Sequence, residues 1–319
     1  MRPKVFIDGQ EGTTGLQIYE RLGGREDIEL LRIDPEKRKD AQERKKLLND
    51  ADLVFLCLPD AAAREAVALI ENDRTKVIDA STAHRTSPGW VYGFPELLAG
   101  QRQRVKFAKR TANPGCHATG FLSAAAPLVA TGVLPRDYPV TCYSLTGYSG
   151  GGKKMIAEYE GEGKDEALDS PRIYGTTLRH KHLPEMKALS GLDEPPVFCP
   201  IVDDYYKGMA SCLMLHNARL TGKPTAEDLC EILARYYEDQ QVVRVAPFEK
   251  EGSFLAANAL AGTDRLELSV WGHEEQTIVV ARFDNLGKGA SGAAVQNMNL
   301  MFGFCLLYTS PSPRDRSVS

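Results

Sequence analysis

The chain has 319 residues, which is more than one ordinary hydrophobic core needs and therefore predicts two domains. Hydrophobic residues make up 43% and charged residues 26% of the chain, as in ordinary water-soluble proteins. A formal net charge of −4 argues against nucleic acid or an anionic membrane surface as a partner. No apolar run approaches the ~20 residues that span a bilayer, and the chain begins on a strand pattern without a signal peptide, so we expect a cytoplasmic protein.

Strand and helix patterns alternate through the first part of the chain. Residues 4–8 predict a buried strand, a glycine-rich turn follows, and residues 16–22 predict a helix. The later strands are predicted at residues 28–33, 53–58 and 76–79, and the later helices at residues 41–49 and 61–70. Such alternation is typical of a parallel sheet that is covered by helices on both faces.

The pattern changes after about residue 115. An apolar helix is predicted at residues 118–130, another helix at residues 226–237 and a last one at residues 286–303. The β-type segments are residues 141–145, 196–202, 211–220, 242–245, 266–271 and 276–282. The chain is therefore predicted to be an α/β protein, with a parallel-sheet domain followed by an α+β domain whose sheet is mixed or antiparallel.

The turn after the first strand carries Gly9, Gly12 and Gly15. Glycines at this position let the backbone approach a pyrophosphate, which then faces the free N–H groups at a helix N-terminus, and the Thr13 and Thr14 hydroxyls can add donors. The spacing differs from the dinucleotide pattern G-x-G-x-x-G, so a purely structural tight turn remains an alternative.

The second strand ends at Asp34, in a position where an acid often holds the ribose of NAD. Arg32, Lys37, Arg38 and Lys39 surround it, and such a basic cluster suits the extra 2′-phosphate of NADP. The alternative is a solvated loop.

Cys116 follows a Pro114-Gly115 turn and directly precedes the apolar helix. A cysteine at a helix N-terminus has a lowered thiol pKa, because the positive end of the helix dipole stabilises the thiolate. Such a thiolate is a nucleophile, and the same N–H groups could hold an oxyanion. The alternative is a capping turn with an incidental buried cysteine.

His180 and His182 lie among cations, just before another helical pattern. A histidine near neutrality can transfer protons, and Lys181 between the two could attract a phosphate. The alternative is a basic surface loop. The other four histidines are interpreted as structural, namely His84, His117, His216 and His273. The seven cysteines are odd in number and form no C-x-x-C pair, so neither a disulfide framework nor a metal site is expected.

Taken together, ordered motifs over residues 3–303 resemble the shorter type of the N-acetyl-γ-glutamyl-phosphate reductase family. The motifs lie at residues 8–15, 57–60, 79–85, 112–116, 147–154, 180–185 and 284–292. After residue 303 the sequence becomes rich in Ser, Pro and Arg and departs from the family.

The resemblance implies a Rossmann-like NADP-binding domain over residues 1–115 and a catalytic and dimerisation domain over residues 116–285. It also implies a C-terminal helix over residues 286–303 that returns to the NADP domain, while residues 304–319 would form a non-native or disordered tail. The expected assembly is a homodimer or homotetramer, and the expected pathway is arginine synthesis.

The implied reaction converts an acyl phosphate to an aldehyde. Cys116 would displace phosphate to form a thioester, NADPH would reduce the thioester, and His182, or His180 in its place, would act as general acid. Two further sets of residues complete the expectation. The substrate contacts would be Arg85, Asn113, Lys181 and the loop at residues 150–154. The additional cofactor contacts would be Pro59, Ser81 and Asn285.

Two alternatives remain at this point. An aspartate-semialdehyde dehydrogenase would use the same thioester chemistry on another acyl phosphate, whose free ammonium calls for a carboxylate partner. A catalytically silent NADP sensor would need the glycine turn but not the pairing of Cys116 with His182.

Overall fold

The computed structural model describes residues 2–9 and 12–305. Within these ranges the chain forms two compact units. The first unit contains residues up to 95, residues 100–114 and the segment from residue 290 onward. The second unit contains residues 96–99 and 115–289.

The first unit is built on a six-stranded sheet in which every pair of neighbouring strands is parallel. Its strands are β1 (Lys4–Asp8), β2 (Glu29–Leu31), β3 (Leu53–Leu56), β4 (Lys76–Asp79), β5 (Val91–Tyr92) and β6 (Arg110–Ala112), in the order β2-β1-β3-β4-β6-β5. All four side chains of β3 are buried, as expected for a parallel strand that is covered on both faces.

Helices pack on this sheet. They are α1 (Thr13–Leu22), α2 (Ala41–Asp50), α3 (Asp60–Ala68), α4 (Gln101–Phe107) and, at the end of the chain, α9 (Gly292–Phe302). Ala294, Val295 and Met298 of α9 join one core cluster with Val5 and Phe55 from the first and third strands. The last helix is therefore part of the core of the first unit.

The second unit is built on a seven-stranded mixed sheet, in the order β11-β12-β13-β10-β7-β9-β8. The strands are β7 (Thr141–Gly147), β8 (Arg172–Ile173), β9 (Val197–Asp203), β10 (Met209–His216), β11 (Val243–Val245), β12 (Leu266–Gly272) and β13 (Gln276–Phe283). β11 with β12 and β7 with β9 are parallel pairs, and the other pairs are antiparallel. The predicted fold class is confirmed in both units.

Four helices belong to the second unit, namely α5 (Cys116–Ala130), α6 (Gly152–Glu160), α7 (Leu183–Ser190) and α8 (Ala226–Tyr236). Helix α5 is apolar on all sides and almost wholly buried. Pro127 inside α5 has no N–H to give to the carbonyl of Ser123, and the Tyr237 hydroxyl donates to that carbonyl instead, at 2.8 Å. The helix therefore continues through its proline without leaving a buried carbonyl unpaired.

Several elements differ from the sequence-based expectation. The expected loop at residues 150–154 was wrong from Gly152 onward, because Gly152 begins helix α6. The strand predicted at residues 211–220 ends at His216, since the Asn217 amide donates to the carbonyls of His273 and Glu274 and turns the chain. The predicted last helix begins with a π-helical turn, Gly287–Ser291.

The expected tail begins at residue 304, but Phe304 is still packed, with its N–H donating to the Asn299 carbonyl at 2.8 Å and its ring beside Phe302. The remainder of the predicted tail, residues 306–319, lies outside the described residues. Among the described helices, none combines the length and the apolar character needed to cross a membrane. Within the same residues, no cluster of three or more His, Cys, Asp or Glu side chains is arranged to hold a metal ion.

A buried ion pair fixes the π-helical turn of the second unit. The Lys288 ammonium lies 2.7 Å from Glu96 Oε2, and both side chains are almost completely shielded from water. Removing one member of such a pair leaves an uncompensated charge in a low-dielectric interior. The turn therefore depends on both partners.

Lys288→Met should lower the free energy of unfolding of the second unit by ~3–5 kcal/mol, because Glu96 loses its buried counter-charge. The chain has one tryptophan in each unit, so urea unfolding followed by Trp271 fluorescence in a Trp90→Phe background would report the second unit alone. Arg136→Met is the matched control, since the Arg136–Asp193 pair is exposed and should contribute less than about 1 kcal/mol. Equal losses of unfolding free energy in the two variants would contradict a stabilising role of the buried Lys288–Glu96 pair.

Candidate active site

The glycine turn of the first unit borders a cleft of about 500 Å³. Gly9 has a φ of +89°, which only glycine adopts without strain, and a Cβ at this position would overlap the carbonyl oxygen of Cys57. Gly12 is the N-cap of α1, and no side chain caps this helix. Thr13, Thr14 and Gly15 form its first turn. The backbone N–H groups of this turn are therefore available to an anion.

The walls of the cleft come from the ends of three parallel strands. Gly9, Gly12 and Pro59 line it on one side, and Arg38 and Lys39 line it on another. Two of the four basic residues singled out near Asp34 thus reach the cleft. The Asp34 carboxylate itself accepts the Glu36 N–H at 3.0 Å and caps its own loop.

Asp8 and Arg44 form an ion pair at 2.8 Å beside the glycine turn. Asp8 is buried, and its contact with α2 holds the carboxyl end of β1 in place. The cleft combines close backbone approach, a helix N-terminus and a basic wall, so its residues fit a dinucleotide whose adenosine end carries an additional phosphate.

The Cys57 thiol also lines this cleft. Burial, together with Asp79 and Asp8, raises its pKa to about 12. It therefore stays a neutral thiol.

Ser81 and Arg85 lie on the loop that follows β4. The Ser81 hydroxyl donates to Asp79 Oδ2 at 2.8 Å, and His84 Nδ1 lies 2.6 Å from the same oxygen. The His84 ring is also stacked on Trp90. These contacts fix the loop, and Ser81 is turned toward Asp79 rather than into the wall of the described cleft.

Arg85 and Asn113 lie together in the first unit. Arg85 Nε donates to the Asn113 carbonyl at 3.0 Å. The Asn113 amide is fully buried and donates to the Ala290 carbonyl at 2.9 Å, while its oxygen accepts from Asn297. Both ends of the Asn113 side chain are thus engaged within the unit, whereas the predicted role of Arg85 toward substrate stays a prediction.

In the second unit, Cys116 is the first residue of α5, and Gly115 is its N-cap. The Gly115 N–H donates to the buried carboxylate of Glu185 at 3.1 Å, which ties the start of α5 to α7. Gly289 packs against Cys116 so closely that a Cβ on this glycine would lie 2.9 Å from the Cys116 Cβ. Cys116 is partly exposed, at the positive end of a buried helix.

Three imidazole rings meet in the second unit, one of them from His117, the residue after Cys116. The centroid of the His117 ring lies 5.4 Å from that of His180 and 5.7 Å from that of His182, and the two latter rings are 4.8 Å apart. The His182 N–H donates to His180 Nδ1 at 3.3 Å. The structure therefore brings both predicted acid–base histidines into one cluster within the unit that carries Cys116.

Burial keeps two of these rings neutral. Burial first, and then the charges of His180 and Lys181, lower the pKa of His117 to about 3. Burial and the Lys181 charge lower the pKa of His180 to about 4. Both rings are therefore unprotonated at physiological pH.

Sequence reasoning missed three residues of this cluster. His117 was interpreted as structural, although its ring contacts both histidines. Tyr174, whose ring lies beside those of His117 and His180, was not identified, while Glu185, which accepts from the Gly115 N–H, lies in the motif at residues 180–185 but was given no role. Asn285, predicted to bind cofactor, donates to the Ser149 hydroxyl at 3.0 Å and accepts from the Gly208 N–H at 2.9 Å. Lys181 is exposed.

Comparison with known proteins defines the class. Residues 4–105 match the NAD binding domain of semialdehyde dehydrogenases, and residues 116–285 match the semialdehyde dehydrogenase dimerisation domain. Among solved structures, aspartate semialdehyde dehydrogenase II from Vibrio cholerae has a TM-score of 0.71 at 16% identity, covering 95% of this chain and 99% of that one. The corresponding enzyme with NADP from Candida albicans has a TM-score of 0.67 at 16% identity, covering 95% and 99%. The chain therefore has the semialdehyde dehydrogenase fold.

Closer relatives give the family. The chain is 49% identical to N-acetyl-γ-glutamyl-phosphate reductase 2 of Nostoc sp., over 95% of this chain and 97% of that protein. It is 47% identical to N-acetyl-γ-glutamyl-phosphate reductase of Rhizobium meliloti, over 94% and 99%. The chain belongs to the N-acetyl-γ-glutamyl-phosphate reductase family.

Gly9→Ala should weaken NADPH binding by about tenfold or more, since a Cβ would overlap the Cys57 carbonyl and the left-handed backbone costs ~1–2 kcal/mol outside glycine. A fluorescence titration with NADPH would measure the dissociation constant. Gly24→Ala is the matched control, because a Cβ there meets no atom within 4 Å. Unchanged affinity in Gly9→Ala would remove the glycine turn from the cofactor site.

Proposed function

We propose that this protein reduces N-acetyl-γ-glutamyl phosphate to N-acetylglutamate semialdehyde through a thioester on Cys116. The observation that carries the proposal is the start of buried helix α5 at Cys116, followed directly by His117, whose ring meets those of His180 and His182. The names of relatives 45–49% identical to the chain give the substrate. The product would serve arginine synthesis, as the resemblance implies.

Cys116 acts first. Its thiolate, stabilised by the N-terminus of α5, attacks the acyl carbon, and the bond from that carbon to the phosphate oxygen breaks. Inorganic phosphate leaves with the electron pair, and a thioester remains on the sulfur. Since the thiolate is regenerated when the aldehyde departs, one cysteine serves every turnover.

The histidine cluster supplies the proton that the reaction needs. Reduction of the thioester carbon leaves a negative oxygen, which needs a proton or a hydrogen-bond donor before the carbon–sulfur bond breaks. His180 is neutral at pH 7, and its Nδ1 accepts the backbone N–H of His182. This arrangement supports His182 as the general acid and gives His180 the role of a neutral neighbour.

The cofactor we assign is NADP, which when bound supplies the hydride. The glycine turn would hold the pyrophosphate, and Pro59 would line the same cleft. Arg38 and Lys39 in the cleft wall would receive the 2′-phosphate, which supports NADP over NAD. The roles of Ser81 and Asn285 toward the nicotinamide remain predictions.

Substrate binding needs cations for two anionic groups. Arg85 and Lys181 are the proposed partners of the phosphate and carboxylate, because both are permanently positive at neutral pH. Asn113 is proposed to act beside Arg85, to which its carbonyl is hydrogen-bonded. The rival substrate of aspartate-semialdehyde dehydrogenase has weaker support, since the enzymes of that name are only 14–17% identical to this chain.

The assembly we infer is a homodimer formed through the face of the seven-stranded sheet that points away from α5. Ile278, Met214, Thr141 and Val197 stand side by side across four strands of this face. The three apolar members are 36%, 37% and 59% exposed. A cavity of about 590 Å³ opens on the same face. A contiguous apolar row of this size is typical of a surface covered by a second copy.

We also propose a reducing compartment, the cytoplasm. All seven cysteines are free thiols, and this use of cysteine is typical of such a compartment.

Cys116→Ser should abolish reduction of the acyl phosphate, because the hydroxyl is not ionised at neutral pH, while NADPH binding stays unchanged. Steady-state turnover and a separate NADPH titration would measure the two quantities. Cys142→Ser is the matched control, because this thiol is buried and its pKa is raised, so turnover should persist. Wild-type turnover in Cys116→Ser would refute the covalent route.

His182→Asn should lower the single-turnover rate by roughly 10²–10⁴ if His182 is the general acid. Because the pKa of His180 is about 4, His180→Asn should leave the pH–rate profile unchanged near neutral pH. An unchanged rate in His182→Asn would transfer the role to His180.

Ile278→Glu should convert the dimer to a monomer at micromolar concentration, because a charge would be buried in the apolar interface. Sedimentation velocity would measure the mass. Phe107→Glu, on an exposed position of the first unit, is the control that should leave the mass unchanged. A dimer that survives Ile278→Glu would exclude this face.

A further inference from the structure

A polar line of four side chains, from Ser211 through Ser144 and His117 to Tyr174, runs between the seven-stranded sheet and the start of α5. Ser211 Oγ lies 2.8 Å from Ser144 Oγ, and Ser144 Oγ lies 2.9 Å from His117 Nδ1. His117 Nε2 in turn lies 2.6 Å from the Tyr174 hydroxyl. The two serines are paired residues of neighbouring strands, His117 is the second residue of α5, and Tyr174 directly follows β8.

The polar line is closed at its inner end. Ser211, Ser144 and His117 are each at most 3% exposed. Gly120 of α5 covers Ser211 so closely that a Cβ there would overlap the Ser211 hydroxyl. Among the residues that the structure describes, Ser144 Oγ is the side-chain hydrogen-bond partner of Ser211 Oγ, and Ser211 has no other. A proton that reached Ser211 would find no acceptor beyond it, so the polar line does not conduct protons and acts by orientation.

The number of acceptors fixes the direction of the hydrogen bonds. If Ser144 donated to Ser211, the buried Ser211 proton would lack an acceptor, which buried polar groups rarely tolerate. Ser211 therefore donates to Ser144, and Ser144 donates to His117 Nδ1.

This direction sets the protonation state of His117. An imidazole that accepts at Nδ1 is neutral and carries its proton on Nε2. Burial lowers the pKa of His117 to about 3, which agrees with a neutral ring. The Nε2–H donates to the Tyr174 oxygen. The two serines thus give His117 one donor with a fixed direction.

Tyr174 begins the segment that leads to His180 and His182. Its own N–H donates to the Pro200 carbonyl at 3.0 Å, which anchors the start of the segment to β9. Residues 176–179 are exposed. The position of the segment therefore depends on the contacts at its two ends.

His117 contacts both of these ends. At one end it donates to Tyr174. At the other, its ring centroid lies 5.4 Å from that of His180, with the planes perpendicular, and 5.7 Å from that of His182, the N-cap of α7. Because His117 directly follows Cys116 on α5, a fixed His117 ring gives the segment one position relative to Cys116.

We propose that His117 is a positioning residue that holds Tyr174, and with it the segment of residues 174–182, against the start of α5. The inference rests on the proposed function, because the segment carries the acid–base histidine of that reaction. A misplacement of about 1 Å can cost a reacting group roughly 10²-fold in rate. A hydrogen bond of fixed direction at the start of the segment limits such displacement.

The first test uses the wild-type protein. Nitrogen NMR of ¹⁵N-histidine-labelled protein at pH 7 should show His117 as the neutral tautomer protonated on Nε2. Its signals are assigned as those that are missing from His117→Gln. A ring protonated on Nδ1, alone or together with Nε2, would overturn the proposal.

The second test removes the acceptor of the Nε2–H and keeps the aromatic ring. In Tyr174→Phe, amide hydrogen exchange at His182 and Leu183, whose N–H groups bond back to His180, should become about fivefold faster. The reason is that one net hydrogen bond no longer opposes opening of the segment. Tyr138→Phe is the matched control, since its hydroxyl bonds elsewhere in the unit. Unchanged exchange in Tyr174→Phe, or equal acceleration in both variants, would overturn the proposal.

The third test separates the hydrogen bond of His117 from its bulk. The amide of His117→Asn lies near the position of Nδ1 and does not reach Tyr174, whereas the longer His117→Gln can place its NH₂ near the position of Nε2 and donate to Tyr174. His117→Asn should lower kcat about tenfold with KM unchanged, and His117→Gln should regain most of this loss. Equal losses of kcat in the two variants, or a parallel rise in KM, would mean a merely structural role and would overturn the proposal.

The first two tests do not use the acyl phosphate. If both give the expected result and the wild-type protein fails to reduce that substrate, the proposed function fails while the hold of His117 on the segment stands. If reduction proceeds and His117 carries its proton on Nδ1, the positioning role alone fails.

Discussion

The burial of helix α5 on the seven-stranded sheet is the constraint on which the site of the second unit depends. An apolar helix without a polar face cannot rotate toward water, so its first residue is held at one place. Cys116 is that residue: the Glu185 carboxylate accepts the N–H of the preceding Gly115, and Gly289 packs against the Cys116 Cβ. The fold thereby presents one sulfur at the positive end of a helix dipole.

Close approach of backbone explains why glycine recurs at the functional positions. Gly9 brings the chain against the Cys57 carbonyl, Gly120 leaves room for the Ser211 hydroxyl, and Gly289 lies against Cys116. Two of these three glycines act through the space they leave rather than through an unusual backbone angle. At each of these positions a side chain larger than hydrogen would clash with a neighbouring group.

Much of the fold could be predicted from periodicity. The buried runs of β1, β3 and β4 and the apolar length of α5 were visible as patterns, and so was the Pro114-Gly115 turn before Cys116. The two-residue strands β5 and β8 were too short to give a period. Helix α6 was hidden because Gly152 begins it and two further glycines directly precede it. Tertiary packing, rather than local propensity, decides such elements.

The site could be predicted only in part, for a comparable reason. Thiol and imidazole side chains are common catalytic groups, so Cys116, His180 and His182 could be singled out by residue type. The glycine turn could be found from its place between a strand and a helix. Strand register and helix packing bring together the hydrogen-bonded side chains of Ser211, Ser144, His117 and Tyr174. Two serines on neighbouring strands become partners through the pairing of β7 with β10, which no local pattern encodes.

The central claim is that a thioester forms on Cys116 before any reduction takes place. Mixing the protein with N-acetyl-γ-glutamyl phosphate in the absence of NADPH, followed by an acid quench and peptide mass spectrometry, tests it most directly. The account predicts an acyl adduct on the Cys116 peptide, an equivalent release of inorganic phosphate, and loss of the adduct when NADPH is added. Aldehyde formation with no adduct on that peptide at any time would contradict it.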